Sequence, residues 1–190
     1  MKNIFTFFAC LLIVGMSFAQ EHLSFKGVPI DGTLREFTNA MVGVGFYYEG
    51  TENGVPVLSG NFAGYEDCYI MISATKNTNT VSAVGVMFPD RSTWTDLQQD
   101  YEALKIMLTK KYGAPSVSKE KFYGDAGNFN NYFVMEAIKD EEYEWYTTFS
   151  TDLGDIELSI IEGTEHHTGA VIVTYYDKAN SKKPSAIDDL

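Results

Sequence analysis

Apolar residues recur along this chain with two distinct periods. From Trp94 to Tyr112 they fall three and four residues apart, at Trp94, Leu97, Tyr101, Leu104, Leu108 and Tyr112. That spacing places them on one face of an α-helix. Thr93 and Asp96 supply an N-terminal cap, and Asp96 with Asp100 suits the positive end of the helix dipole. Lys110 and Lys111 occupy the last turn, Gly113 offers a left-handed stop, and Pro115 prevents continuation. A shorter helix is predicted after Pro29. Thr33 followed three residues later by Glu36 matches a capping box; Leu34, Phe37 and Met41 begin an apolar face, and Gly43 is placed to end it. The preceding Asp31-Gly32-Thr33 superficially resembles the loop that carries the aspartate of acid hydrolases, but no second carboxylate is singled out as its partner. The helix start accounts for more of the segment.

Elsewhere the pattern alternates, as half-buried strands require. Strands are predicted at 57–63, 67–75, 81–88, 117–123, 143–150, 155–161 and 169–176. The turns Ala63–Glu66 and Lys76–Thr80 are short and polar, which suits antiparallel hairpins. VGFYYEGTENG (44–54) reads as irregular or strand-like, and 131–139 fits either a short helix or a strand. The order is helix, three strands, helix, extra segment, three strands. It predicts a two-layer α+β fold, with an antiparallel sheet of six or more strands and two main helices on one face. Two α-βββ units in tandem, 25–89 and 92–176, would produce this order.

Composition adds the compartment. Residues 1–19, MKNIFTFFACLLIVGMSFA, have a basic start, an apolar stretch and small residues before Gln20, as a secretory signal peptide does. The mature chain would keep 171 of the 190 residues, with a domain over 20–176 and a polar tail over 177–190 that composition marks as mobile. An exported protein, periplasmic or extracellular, is the expectation. No other stretch is long and apolar enough to span a membrane. The chain carries 14 basic and 26 acidic residues, a formal charge of −12. Loss of Lys2 makes it −13. Such a chain lacks the basic footprint that nucleic acids or anionic membranes require. Cys68 is the only cysteine beyond the leader, so no internal disulfide forms. It shares a strand face with Ile70, Ile72 and Ala74, and reads as a small buried hydrophobe.

Strand alternation also separates two sheet faces. Trp145, Phe149, Ile156, Leu158, Ile160, Val171, Val173 and Tyr175 point to one side, the side expected beneath the helices. The other side carries Glu144, Tyr146, Thr148, Glu157, Ser159, Thr174 and Tyr176, joined by Tyr69 and Met71 from the first half. Tyrosines mixed with acids and hydroxyls form a surface suited to a protein or a glycan. Tyr69, Met71, Glu144, Tyr146, Glu157, Thr174 and Tyr176 are therefore the candidate ligand-binding residues. An ordinary solvent-facing sheet is the plainer alternative.

No catalytic residue, metal ligand or cofactor site is assigned. His166 and His167 are adjacent in a predicted loop without a third and fourth ligand at a zinc spacing. The loop from Asp125 fails the calcium-loop pattern, because Gly127 and Phe129 stand where oxygen ligands are needed. Gly-rich phosphate loops, nucleophile elbows and His-Glu-x-x-His helices are missing. The expectation is an exported non-catalytic binding protein. A metal-independent hydrolase of an extracellular polymer and a structural envelope component are the competing readings.

HLSFKGVPIDGTLREF (22–37), LTKKYGAP (108–115) and VTYYDKANS (173–181) resemble segments of a group of uncharacterised exported proteins of Gram-negative bacteria. The resemblance implies a shared small α+β fold and export, and brings no catalytic residues with it. The tandem element order is loosely similar to the β-lactamase-inhibitor-protein-like fold.

Overall fold

The computed structural model describes residues 21–123 and 131–181. The predicted leader, the Asp125 loop and residues 182–190 lie outside this range. The chain begins with a small hairpin, β1 (Ser24–Phe25) and β2 (Val28–Pro29), and continues into α1 (Leu34–Gly43). A four-strand meander follows: β3 (Tyr47–Glu52), β4 (Val55–Phe62), β5 (Tyr65–Ala74) and β6 (Val81–Met87). Then come α2 (Trp94–Tyr112), β7 (Val117–Phe122), α3 (Asn131–Lys139), β8 (Tyr143–Ser150), β9 (Gly154–Glu162) and β10 (Gly169–Asp177). The strands after α1 form one sheet in the order β3-β4-β5-β6-β10-β9-β8-β7. The fold is thus α+β, an eight-stranded antiparallel sheet with helices packed against it.

The first half has one strand more than the α-βββ pattern, and the strand predicted at 117–123 adds a fourth to the second. VGFYYEGTENG contributes β3, and the extra segment contributes β7; both become outer strands of the sheet. The halves meet where β6 pairs with β10, from Ile172 opposite Met87 to Tyr176 opposite Ala83. Residues 131–139 are a helix. A strand would bury alternate residues, whereas Val134, Met135, Ala137 and Ile138 are buried together, as one helical face requires.

α1 starts as the capping box predicts. The Thr33 hydroxyl accepts from the Glu36 amide at 3.3 Å, and the Glu36 carboxylate accepts from the Thr33 amide at 3.0 Å. Its end is one step later than expected: Gly43 is still helical, Val44 caps, and Gly45 takes the positive φ of 103°. α2 spans the predicted range, with Leu97, Tyr101, Leu104 and Leu108 buried along its stripe. Asn131 secures its start from a distance, accepting from the Trp94 amide at 2.6 Å and donating to the Ser92 carbonyl at 3.0 Å.

The core fills the space between helices and sheet. One row of paired residues crosses all eight strands on this side: Tyr48, Leu58, Ile70, Val86, Val173, Leu158, Thr147 and Ser118. Its middle members Leu58, Ile70, Val86, Val173 and Leu158 are almost wholly removed from water, and each such aliphatic side chain stabilises the fold by about 2 kcal/mol. Thr147 is buried in the same row, with its hydroxyl 2.7 Å from that of Tyr101. Cys68 is buried with the core, and burial pushes its thiol up to about 11.

The end of the chain belongs to the fold further than composition suggests. Asp177, expected at the start of a mobile tail, ends β10 and is fully buried. Its carboxylate accepts from the Leu23 amide at 2.7 Å and the Asn180 amide at 2.9 Å, and lies 3.0 Å from His22 Nδ1. Asn180 donates to the carbonyls of Ile30 and Val81. Residues 177–181 therefore tie the first hairpin to the seam between the halves.

Two stability changes follow. Thr33→Ala removes the capping hydroxyl and should cost about 1 kcal/mol in urea denaturation. Asp177→Ala leaves buried donors unpaired and should cost ~3 kcal/mol or more. A cost for Asp177→Ala no larger than that of Thr33→Ala would refute its role as the clamp.

Candidate functional site

The sheet face away from the helices holds every candidate residue read from the sequence. Register places them in adjacent rows. One row runs Tyr47, Ser59, Tyr69, Met87, Ile172, Ser159, Tyr146, Lys119 across all eight strands. The next runs Val57, Met71, Gly85, Thr174, Glu157 and Thr148. Tyr176 lies one row further, opposite Ala83 and Asp155. Glu144 lies beyond Tyr146 on β8, opposite Lys121. Tyr69, Met71, Tyr146, Glu157, Thr174, Tyr176 and Glu144 thus share one surface, spread across it rather than converging on a point.

The surface is not flat. Met87 and Ala83 face this side yet are only 8% and 7% exposed, although the helices pack on the other. Ala83 lies in a groove bordered by the β5–β6 loop. A groove of about 1040 Å³ lies over β5, β6 and β10, walled by the β5–β6 loop (75–80) and by Ala179–Ser181. Its floor carries Met71, Gly85, Ile172, Thr174 and Tyr176. At Gly85 a methyl group would lie 3.4 Å from Ile172 Cδ1 and 3.7 Å from Met71 Cε, in ordinary contact. The absent side chain leaves a recess the size of a methyl group.

Charge is distributed unevenly along the face. At the β7–β8 edge, Lys119 and Lys121 lie 3.0 and 3.1 Å from the two oxygens of Glu144. Hydrogen bonds from these lysines hold the Glu144 carboxyl down at about 2. The Lys119 ammonium also stands 5.7 Å from the centre of the Tyr146 ring. Mid-face, Glu157 is half-buried beside Asp155. Burial, and secondarily the Asp155 charge, raise its pKa. Burial raises that of Tyr176 as well, reinforced by Glu157. Glu157 faces Thr148, four residues along β8 from Glu144, so these carboxylates are separated by about 13 Å along the strand direction. That exceeds the separation of paired glycosidase carboxylates.

Gly85, Ile172, Ser73, Asn180 and the β5–β6 loop were not read from the sequence as site residues. The only signal for the recess was a glycine interrupting the apolar strand Val81–Met87. Away from this face, the His166–His167 turn is held by Asp90, whose Oδ2 accepts from the Thr164 and Glu165 amides at 2.8 and 3.0 Å and from the Thr168 hydroxyl at 2.8 Å. His167 Nδ1 lies 2.7 Å from Glu136 Oε1. Among the described residues no group of three or more His, Cys, Asp or Glu side chains is arranged to hold a metal ion, and no helix is long and apolar enough to cross a membrane.

A raised Glu157 pKa means that the folded state binds this proton more tightly than the unfolded chain. Its contribution to stability is then full below the ordinary glutamate value and is lost as pH rises through the raised value. Glu157→Gln should melt higher than the wild type at pH 7, with the gap closing towards pH 4. A gap that does not change between these pH values would contradict the assigned desolvation.

A scan against protein-family models, a search of curated proteins and a search of solved structures each find no match for this chain.

Proposed function

We propose that this protein is an exported, non-catalytic binding protein that takes a protein or glycan partner on the open face of its sheet. The observation that carries the reading is the grooved, tyrosine-bearing face left uncovered by the helices, with sheltered apolar floor residues and hydroxyl-rich walls. Tyr69 and Tyr176, 47% and 38% exposed, offer flat amphipathic rings that lose little conformational freedom on contact. The polar surroundings give orientation, and the apolar floor supplies the burial that binding needs. Export follows from the signal-like residues 1–19, and the likenesses to small exported Gram-negative proteins and to the β-lactamase-inhibitor-protein-like fold belong to this same proposal.

Affinity capture tests it, with tagged wild-type protein and a Tyr69→Ala/Tyr146→Ala/Tyr176→Ala variant run side by side on envelope extract and growth medium. A protein or glycan retained by the wild type should be depleted at least ~10-fold on the variant, as expected for losing an aromatic hot spot. The variant's melting temperature should stay close to the wild type's. Equal retention by both proteins would overturn the assignment to this face.

A further inference from the structure

One carboxylate on the open face stands without a partner. Glu157 lies mid-sheet on β9, half-buried, and meets neither a hydrogen-bond donor nor a cation among the described residues. Its cross-strand neighbours are Thr148 and Thr174. Tyr146 and Tyr176 flank it on the diagonals, opposite Ser159 and Asp155, which lie to either side of Glu157 along β9. Nothing in this ring is basic. Beside it a hollow of about 460 Å³ takes in Glu157, Tyr146, Ser159 and Glu144, and no basic residue lines it. Glu144 supplies the contrast, because its two oxygens are already taken by Lys119 and Lys121.

We infer that Glu157 receives an arginine side chain of a basic protein partner. The inference rests on the reading of this face as a binding surface, and it chooses a protein over a glycan. Any partner laid over the face removes the water that Glu157 still has. A neutral glycan can donate hydroxyls to the carboxylate but brings no counter-charge, so a buried net charge remains or a proton must be taken up. A cation instead offsets a desolvation that folding has already begun. Arginine suits the surroundings better than lysine. Its planar guanidinium can bond both carboxylate oxygens and still has N–H groups for the hydroxyls of Thr148 and Thr174. Its weakly hydrated plane also suits contact with the tyrosine rings on the diagonals. The chain's 26 acidic against 14 basic residues draw such a partner in from a distance. An unpaired, partly desolvated charge is a cost in the free protein, as sites shaped for a ligand often carry.

Titrating isotope-labelled protein with an acetylated, amidated tetra-arginine peptide tests this at about 0.15 M salt. The uncharged tetra-citrulline peptide and a neutral glucose oligosaccharide run beside it. The arginine peptide should shift the amide signals of Thr148, Glu157, Ser159 and Thr174 saturably, and neither neutral probe should. Glu157→Gln keeps the side chain's shape, relieves the desolvated charge, and should weaken the arginine peptide at least ~10-fold. Glu66→Gln removes the same charge from an exposed position at the start of β5 and should change its affinity less than ~2-fold. Equal weakening by the two substitutions would reduce the effect to overall charge and overturn the inference. Saturable shifts of the same signals by either neutral probe would also overturn it, as would an arginine peptide that leaves them unmoved. Such failures concern the partner's charge alone and leave tyrosine-dependent capture standing. Failure of the binding reading shows differently, as equal capture by the tyrosine variant with Glu157 intact.

Discussion

The pairing of β6 with β10 is the constraint on which the rest of the molecule depends. It joins the β3–β6 meander, preceded by α1, to the strands β7–β10, preceded by α2 and interrupted by α3, in one continuous antiparallel sheet. Antiparallel meanders return the chain without crossing the sheet, so the helices pack together on one side. Their apolar stripes close a single core there. The opposite face of the same strands is left without a layer of secondary structure. An open face is thus a consequence of how the halves are joined rather than a separate feature added to the fold.

That open face is shaped by what the seam brings together. Gly85 and Thr174 are directly opposed across the β6–β10 pairing, with Met71 beside them on β5. A glycine inside a strand weakens it slightly, and here its missing side chain forms the floor of the groove. The wall is made by residues just beyond β10, which are held by Asp177 and Asn180. The polar clamp that ties the first hairpin to the seam therefore also positions one side of the groove. Stability and surface shape share these residues, and the buried Asp177 carboxylate serves both.

Electrostatics divides the face into zones with different chemistry. At the β7–β8 edge the Glu144 carboxylate is neutralised by two lysines and remains ionised well into acid. Lysines on an outer strand also discourage pairing with another chain. Mid-face, Glu157 is partly desolvated and its charge costs stability. Around Gly85 the lining is neutral apart from Lys76.

The sequence by itself determined the local elements, because their causes are local. Thr33 and Glu36 mark a helix start whatever surrounds them, and the three-and-four spacing from Trp94 to Tyr112 defines an apolar stripe without reference to the sheet. Period-two alternation likewise sorted Tyr146, Glu157, Thr174 and Tyr176 to the face opposite Phe149, Leu158 and Val173. Residues 131–139 were ambiguous because their apolar content fits both periods, and burial against α2 and β9 selected the helix. The folded molecule alone made residues 47–52 a fourth strand of the first half, and it alone set the β6–β10 seam and the groove at Gly85. Those depend on which distant strands pair and in what register, and on Asp177 and Asn180 finding partners some 150 positions earlier in the chain. Residues far apart in sequence carry no local signature of meeting, so their meeting is legible only in the folded molecule.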